Sequence, residues 1–178
     1  MKRWTAAAAV LLFAAALLGS AVMAQEVPEK PWALKVGMFR PDDGDWRDAS
    51  RSTWLAFGLD YTGQITPTGA EWLGTVEFLR GKNSNRMWSI QAIYKLRSYA
   101  ASEEGSRFYY GAGAGIYMAK LRSRDGLVSE SETKFGIPLL AGIDLSPAMF
   151  LELKYNAVFS KIRNVRPGGF SVMLGYKF

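Results

Sequence analysis

The chain has 178 residues, a formal net charge of +6, no cysteine and no histidine. This length suits one domain of ordinary size. The missing cysteines exclude a disulfide framework, a thiolate metal site and a lipid anchor on cysteine. The missing histidines remove the commonest metal ligand and the commonest general base of enzymes.

Residues 1–24 have the pattern of a secretory signal peptide. Lys2 and Arg3 form a short basic head, and residues 6–18 form an unbroken apolar run that ends before Gly19. A membrane-spanning helix needs about 20 apolar residues, and this run is shorter. We therefore expect cleavage after Ala24, which leaves a mature domain of residues 25–178.

Eight segments of the mature domain alternate between apolar and polar residues, which is typical of half-buried β-strands. They span residues 32–39, 54–61, 71–79, 87–97, 107–119, 134–145, 148–159 and 170–178. Most are separated by turn-forming residues, and no helical pattern of similar length interrupts them. The sequence predicts an all-β fold, an eight-stranded antiparallel up-and-down barrel that leaves no strand edge unpaired.

The volumes of the two strand faces predict which face points outward. The interior of an eight-stranded barrel is only just wide enough for its side chains. The apolar faces are rich in aromatic residues, whereas the opposite faces combine charges with glycines such as Gly111, Gly113 and Gly115. Because the apolar faces would overfill the interior, we predict a transmembrane barrel whose apolar faces meet lipid. A soluble barrel with the reverse orientation is the alternative.

The last strand, residues 170–178, ends in Phe178 and has apolar residues at every second position before it. Together with the Gly/Ala alternation of residues 110–115 and the hairpin at 142–147, it resembles the small outer-membrane β-barrel proteins of the OmpX, OmpW and OmpA-barrel type. The resemblance implies a location in the outer membrane of a diderm bacterium. It also implies that Tyr176 and Phe178 belong to the signal read by the barrel-assembly machinery. We expect a monomer.

The charged strand faces supply a candidate ion-pair network inside the barrel. Its predicted members are Lys35, Asp60, Glu71, Glu77, Lys95, Arg97, Lys134, Asp144, Glu152 and Lys154. An unpaired charge is costly both in lipid and in a buried lumen, so we expect the basic residues to pair with acidic residues of other strands. Such a network would close the bore. The alternative is that the same charges line a narrow polar path.

The predicted outer loops carry an excess of basic residues. Candidate contacts to the phosphates of lipopolysaccharide are Arg80, Lys82, Arg86, Lys120, Arg122, Arg124, Lys161 and Arg163. Arginine and lysine bind phosphate well, which favours this interpretation over a merely solubilising set of loops.

The first outer loop contains four aspartates between Asp42 and Asp48. Carboxylates at this density can bind Ca²⁺ or Mg²⁺, although their spacing does not match an EF-hand loop. The simpler interpretation is an acidic turn that pairs in part with Arg47 and Arg51. We expect no metal and no cofactor.

The sequence argues against an enzyme. Most enzymes among outer-membrane barrels resemble one another in using a histidine base, which this chain lacks. A serine–lysine pair that uses Ser89 or Ser171 is chemically conceivable, but nothing distinguishes either serine. Export argues against nucleic-acid binding. Two functions remain open, namely a structural or surface-interaction protein with a filled lumen and a small porin-like channel.

Overall fold

The computed structural model describes residues 28–50, 52–65, 70–97, 107–122, 129–162 and 165–178. The strands are β1 (Trp32–Pro41), β2 (Trp54–Ile65), β3 (Ala70–Arg80), β4 (Arg86–Arg97), β5 (Arg107–Arg122), β6 (Ser129–Asp144), β7 (Met149–Val158) and β8 (Gly169–Lys177), and one helix, α1, spans Gly44–Ser50. The strands form a closed barrel in which each pairs with its sequence neighbours and β1 pairs with β8. The predicted fold is therefore confirmed. The expected signal peptide lies outside the described residues.

The two ends of the barrel differ in what they carry. We call the upper end the one with the connections 42–53, 81–85 and 159–168, and the lower end the one with the turn 145–148 and the C-terminus. At the lower end, the Phe178 backbone N–H donates to the Trp32 carbonyl over 2.9 Å. This bond continues the β1–β8 seam beyond the last residue of β8.

Some strands are longer than the alternation of polarity indicates. Pairing of β2 with β3 continues past an irregularity between Thr62 and Gln64, so β2 reaches Ile65. The predicted connection at 62–69 is thus shorter than expected. Strands β5 and β6 stay paired as far as Arg122 and Ser129. The predicted connection at 98–106 lies outside the described residues.

The outward face of the barrel is apolar, as the volume argument predicts. Phe108 is 61% exposed and Phe159 is 64% exposed, and most other outward positions carry exposed aliphatic or aromatic side chains. Aromatic pairs lie near both ends of this surface. Trp32–Tyr61 and Trp72–Tyr94 are at the lower end, and Phe78–Trp88 and Tyr155–Phe170 are at the upper end.

The first connection forms a helix, where the simpler interpretation of the sequence is an acidic turn. The Asp43 Oδ1 atom accepts hydrogen bonds from the backbone N–H groups of Asp45, at 3.1 Å, and Trp46, at 3.3 Å. Asp43 therefore caps the N-terminus of α1. The cap fixes the direction in which α1 presents Trp46, which is buried. In the described part of the chain, no helix has the length and apolarity needed to cross a membrane.

Closure of the β1–β8 seam requires a glycine at position 37. A Cβ atom added to Gly37 would lie 2.0 Å from the Val172 carbonyl oxygen, which is backbone and cannot move aside. We expect Gly37→Ala to destabilise the barrel by about 1–3 kcal/mol through overpacking. Urea unfolding in detergent, followed by the heat-modifiable mobility of the barrel on gels, measures this.

Gly74→Ala is the matched control because its added Cβ would meet nothing closer than 3.9 Å. We expect this control to change stability by about 0.5 kcal/mol or less. Equal unfolding of the two variants would contradict the account of the seam.

Candidate functional site

Five charged side chains meet in the middle of the lumen. This central cluster consists of Lys35, Asp60, Glu77, Glu152 and Lys154. The Lys35 Nζ atom lies 3.0 Å from Asp60 Oδ2 and 2.9 Å from Glu152 Oε1. Glu77 Oε1 is 3.6 Å from Lys35 Nζ and 2.5 Å from Lys154 Nζ. All five residues are buried, so each charge depends on these neighbours for its stabilisation.

Neutral polar side chains complete the hydrogen bonds of the central cluster. Gln91 Nε2 donates to Glu77 Oε2 over 3.0 Å, and Gln91 Oε1 accepts from Lys154 Nζ at 3.3 Å. Thr75 Oγ1 donates to Asp60 Oδ1 over 2.9 Å. Because carboxylates accept several hydrogen bonds each, these partners reduce the cost of burying three acids beside two lysines.

A second group of charges, the lower cluster, lies toward the lower end of the lumen. It consists of Glu71, Lys95, Arg97, Asp144 and Lys177. Lys95 Nζ is 2.6 Å from Glu71 Oε2, and Lys177 Nζ is 2.7 Å from Asp144 Oδ1. Arg97 joins the two carboxylates by donating to both. With two acids and three bases, this cluster has the opposite charge imbalance to the central cluster.

Aromatic rings and a small cavity lie between the two clusters. The Lys95 ammonium group is 4.9 Å from the centre of the Tyr109 ring, and the Lys177 ammonium group is 5.5 Å from the centre of the Phe150 ring. Both distances allow cation–π attraction. The cavity beside them has a volume of about 20 Å³, which is room for about one water molecule.

Above the central cluster the lumen is apolar. The Trp46 ring of α1 packs edge-on against Trp54 at 4.6 Å and against Phe39 at 6.4 Å between ring centres. Ile162 belongs to the same buried group. These side chains form the aromatic cap, which covers the ionic part of the lumen from above. The alternation of polarity does not predict this cap, because Trp46 and Ile162 lie outside the alternating strands.

The structure brings together nine of the ten residues predicted for the lumenal network. Lys134 lies apart from them at the upper end of β6 and pairs with Glu132 on its own strand at 2.5 Å. Lys177 joins the lower cluster although the predicted pairs omitted it. Lys177 lies on the charged face of β8, and this position in the sequence pattern indicates an inward side chain.

A row of basic residues crosses the outer wall at the upper end. Arg80 is paired in register with Arg86, and Arg86 with Lys120. By strand alternation their side chains lie on the outward face, above the Phe78–Trp88 ring pair. We call these three residues the basic row.

Of the other predicted phosphate contacts, the structure describes the side chains of Lys82 and Lys161. Lys82 is exposed in the turn between β3 and β4, and Lys161 is exposed after β7. The side chain of Arg122 is not described, and Arg124 and Arg163 lie outside the described residues.

The acidic connection does not gather carboxylates into a metal site. Among the described residues, no three acidic side chains are grouped as metal ligands would be. Asp43 caps α1, and its Oδ2 atom accepts a hydrogen bond from the Arg166 backbone N–H at 3.2 Å. Asp42 Oδ2 accepts a hydrogen bond from the Tyr155 hydroxyl at 2.8 Å. The bond from Arg166 ties the connection 42–53 to the connection 159–168, and the bond from Tyr155 ties it to β7.

The two candidate serines are not arranged for catalysis. Ser89 Oγ accepts a hydrogen bond from Gln91 at 2.7 Å. Ser171 is the cross-strand neighbour of Lys154, but its buried Oγ atom has no hydrogen-bond partner among the residues that the structure describes. Lys154 instead donates to Glu77 and Gln91. A lysine held by a carboxylate in this way is not a free base for a serine.

Comparison with known proteins relates this chain to others by fold. No protein-family model matches the sequence, and a search of curated proteins found no relative. Solved structures do match. The chain is similar to Neisserial surface protein A (NspA), with a TM-score of 0.57 and 15% identity over 83% of this chain and 97% of that one.

Two other solved barrels are similar. Ail, the attachment invasion locus protein of Yersinia pestis, solved in complex with the heparin analogue sucrose octasulfate, has a TM-score of 0.51 and 22% identity, covering 85% of this chain and all of Ail. The N-terminal barrel domain of Pseudomonas aeruginosa OprF has a TM-score of 0.52 and 14% identity, covering 84% and 98%. The chain therefore has the fold of these small eight-stranded barrels.

Glu77 is the nearest carboxylate of Lys154 and also contacts Lys35, so its loss should disturb the central cluster. We expect Glu77→Leu to lower the free energy of unfolding by about 3–5 kcal/mol because Lys154 loses its nearest carboxylate while buried. Adding Lys154→Met should restore much of the loss. Urea unfolding in detergent compares the single and double variants.

Glu132→Leu serves as the control for removing an acid near the surface. The Glu132 side chain is 43% exposed and pairs with Lys134. We expect a change of about 1 kcal/mol or less. If Glu77→Leu were no more harmful than this control, the central cluster would not be a stabilising network.

Proposed function

We propose that the chain, after removal of residues 1–24, is an outer-membrane β-barrel protein of a diderm bacterium with a structural or surface-interaction role. The observation that carries the proposal is the inverted distribution of polarity, with charges buried in the lumen and apolar side chains exposed around the wall. An apolar surface this large is unusual on a soluble protein and suits lipid. The similarity of fold to NspA, Ail and OprF supports it.

The dimensions of the apolar surface fit a bilayer. On β5 the outward apolar positions run from Phe108 to Met118, which is roughly 33 Å along the strand. At a strand tilt of about 40°, this corresponds to a height of roughly 25 Å, which is typical of outer-membrane barrels. The aromatic pairs near both ends suit the two interfaces. The closed barrel also satisfies the strand hydrogen bonds internally, as lipid requires.

The contents of the lumen favour a structural role over a channel. The central cluster, the lower cluster and the aromatic cap are stacked along the bore. The cavity between them has room for about one water molecule. A solute would have to separate buried ion pairs in order to pass. We infer that these layers keep the barrel closed in its resting state. Because Lys154 is held by Glu77 and Gln91 and is not a free base for Ser171, we also propose that the protein is not an enzyme.

The upper end is the one that we assign to the cell exterior, and its basic row fits the phosphates of lipopolysaccharide. Arg80, Arg86 and Lys120 are neighbours on adjacent strands, so a single anionic group can contact more than one of them. Ail, which has this fold, was solved in complex with a polysulfated sugar, and this supports the binding of anionic ligands by barrels of this kind. Lys82 and Lys161 would add to the positive potential of the rim, and so would Arg122, Arg124 and Arg163.

The C-terminus is proposed to act during assembly. Tyr176 and Phe178 end a strand that pairs with β1 and closes the barrel. Both side chains are exposed on the outer wall. We propose that the barrel-assembly machinery reads them before closure and that the finished barrel is a monomer.

Recordings in planar bilayers test the closed lumen. We expect the purified protein to give no steady conductance, because two ionic layers and the aromatic cap fill the bore. Trp46→Ala should remain closed as well, since removing the cap leaves both ionic clusters in place. A well-defined open state of the native protein would favour the porin-like channel instead.

Binding to lipopolysaccharide tests the basic row. We expect Arg86→Ala, at the middle of the row, to weaken binding about tenfold through the loss of charged hydrogen bonds to phosphate. Lys30→Ala, an exposed cation at the lower end, should have no effect. Dephosphorylated lipopolysaccharide should bind native protein and Arg86→Ala equally. If the native protein bound dephosphorylated lipopolysaccharide as tightly as the phosphorylated form, this role would be overturned.

A further inference from the structure

The outer wall is not uniformly convex but contains an apolar groove of about 740 Å³. The groove crosses the wall from the lower end of β8, past β1 and β2, to the upper ends of β3 and β4. Side chains that line it include Leu59, Val76, Phe78, Trp88, Leu174 and Tyr176. Its volume is in the range of sites that bind small organic molecules.

The upper end of the groove lies directly beneath the basic row. On β3, Val76, Phe78 and Arg80 occupy every second position and so share the outward face. At about 3.3 Å per residue, Arg80 is roughly 13 Å above Val76 along the strand. On β4, Arg86 is likewise two residues above Trp88, whose ring centre is 4.4 Å from that of Phe78. A cationic site and an apolar site are therefore continuous.

We infer that this groove and the basic row together form one binding site for a lipid that carries phosphate. The phosphate binds Arg80 and Arg86, and one acyl chain lies in the groove below the Phe78–Trp88 pair. The inference rests on the proposed function, because it requires the upper end to lie in the outer leaflet. It goes further by assigning one wall of the barrel to a particular lipid chemistry.

Charge decides between a lipid and a second copy of this chain as the occupant. Two copies inserted in one membrane have the same orientation, so their grooves would face each other with Arg80 and Arg86 of both copies at the same height. Like charges placed together in this way repel. A phosphate-bearing lipid instead neutralises the basic row with its phosphate and fills the groove with its acyl chain.

The site is tested by native mass spectrometry of the whole barrel in neutral detergent. The ligands are lysophosphatidic acids that carry either a 14-carbon or a 6-carbon chain. The longer chain makes more van der Waals contacts with the groove than the shorter one. Val76→Trp displaces the chain, and we expect it to weaken binding of the long-chain lipid at least tenfold while leaving the short-chain lipid unchanged. Arg86→Ala should weaken binding of both lipids about tenfold.

Ile137→Trp on β6 is the matched control. Its side chain is 37% exposed, close to the 41% of Val76, but it does not line the groove. We expect native affinity for both lipids. Heat-modifiable mobility verifies that each variant is folded, and Leu59→Trp replaces Val76→Trp if that barrel does not form.

The remaining outcomes separate this inference from the proposed function. If Arg86→Ala weakens binding and neither groove substitution does, phosphate binding at the rim stands and the acyl groove is overturned. If the groove substitution weakens long-chain binding and Arg86→Ala has no effect, the two-part site and the phosphate-binding rim are both overturned. If neither substitution matters, both are overturned as well.

Discussion

The Lys35 ammonium group is buried within 3.6 Å of three carboxylates, and the interior of the barrel is organised around its neutralisation. Asp60, Glu77 and Glu152 come from three different strands, so the ion pairs connect β1 with β2, β3 and β7. Separating any of these pairs would leave a charge buried without a partner. The cluster therefore opposes slippage of strand register from inside the barrel, in addition to the backbone hydrogen bonds of the wall.

Long charged and aromatic side chains fit this narrow lumen because glycines face them. A Cβ added to Gly58 would lie 2.9 Å from Lys35 Cε, and one added to Gly175 would lie 2.1 Å from the Phe150 ring. Gly142 is similarly close to Tyr109. The inward glycines thus supply the space that the ionic layers and rings occupy. Charge neutralisation and steric fit impose the same arrangement, which explains why so many glycines lie on the charged strand faces.

The two ends of the barrel support different roles. The upper end combines the aromatic cap inside with the basic row outside, and hydrogen bonds from Tyr155 and Arg166 hold the acidic connection against the rim. The lower end contains the second ionic cluster and the C-terminus. This asymmetry supports a barrel that is closed to solutes and that interacts through its outer rim and outer wall. The proposed lipid site extends that interaction surface from the rim down the wall.

The sequence by itself determined the number of strands and the residues that share each face, because alternation with period two assigns each residue to a face. The bulk of the apolar faces then indicated that they point outward, since the interior of an eight-stranded barrel is narrow. Only the tertiary structure decided which charges meet. Strand tilt and register place Arg97 between Glu71 and Asp144, and they leave Lys134 with Glu132. The tertiary structure also decided the aromatic cap and the outer groove. Trp46 is buried because α1 folds over the upper end of the closed barrel. The groove lies beneath the basic row because paired strands set their side chains at the same height. A one-dimensional pattern of polarity encodes neither arrangement.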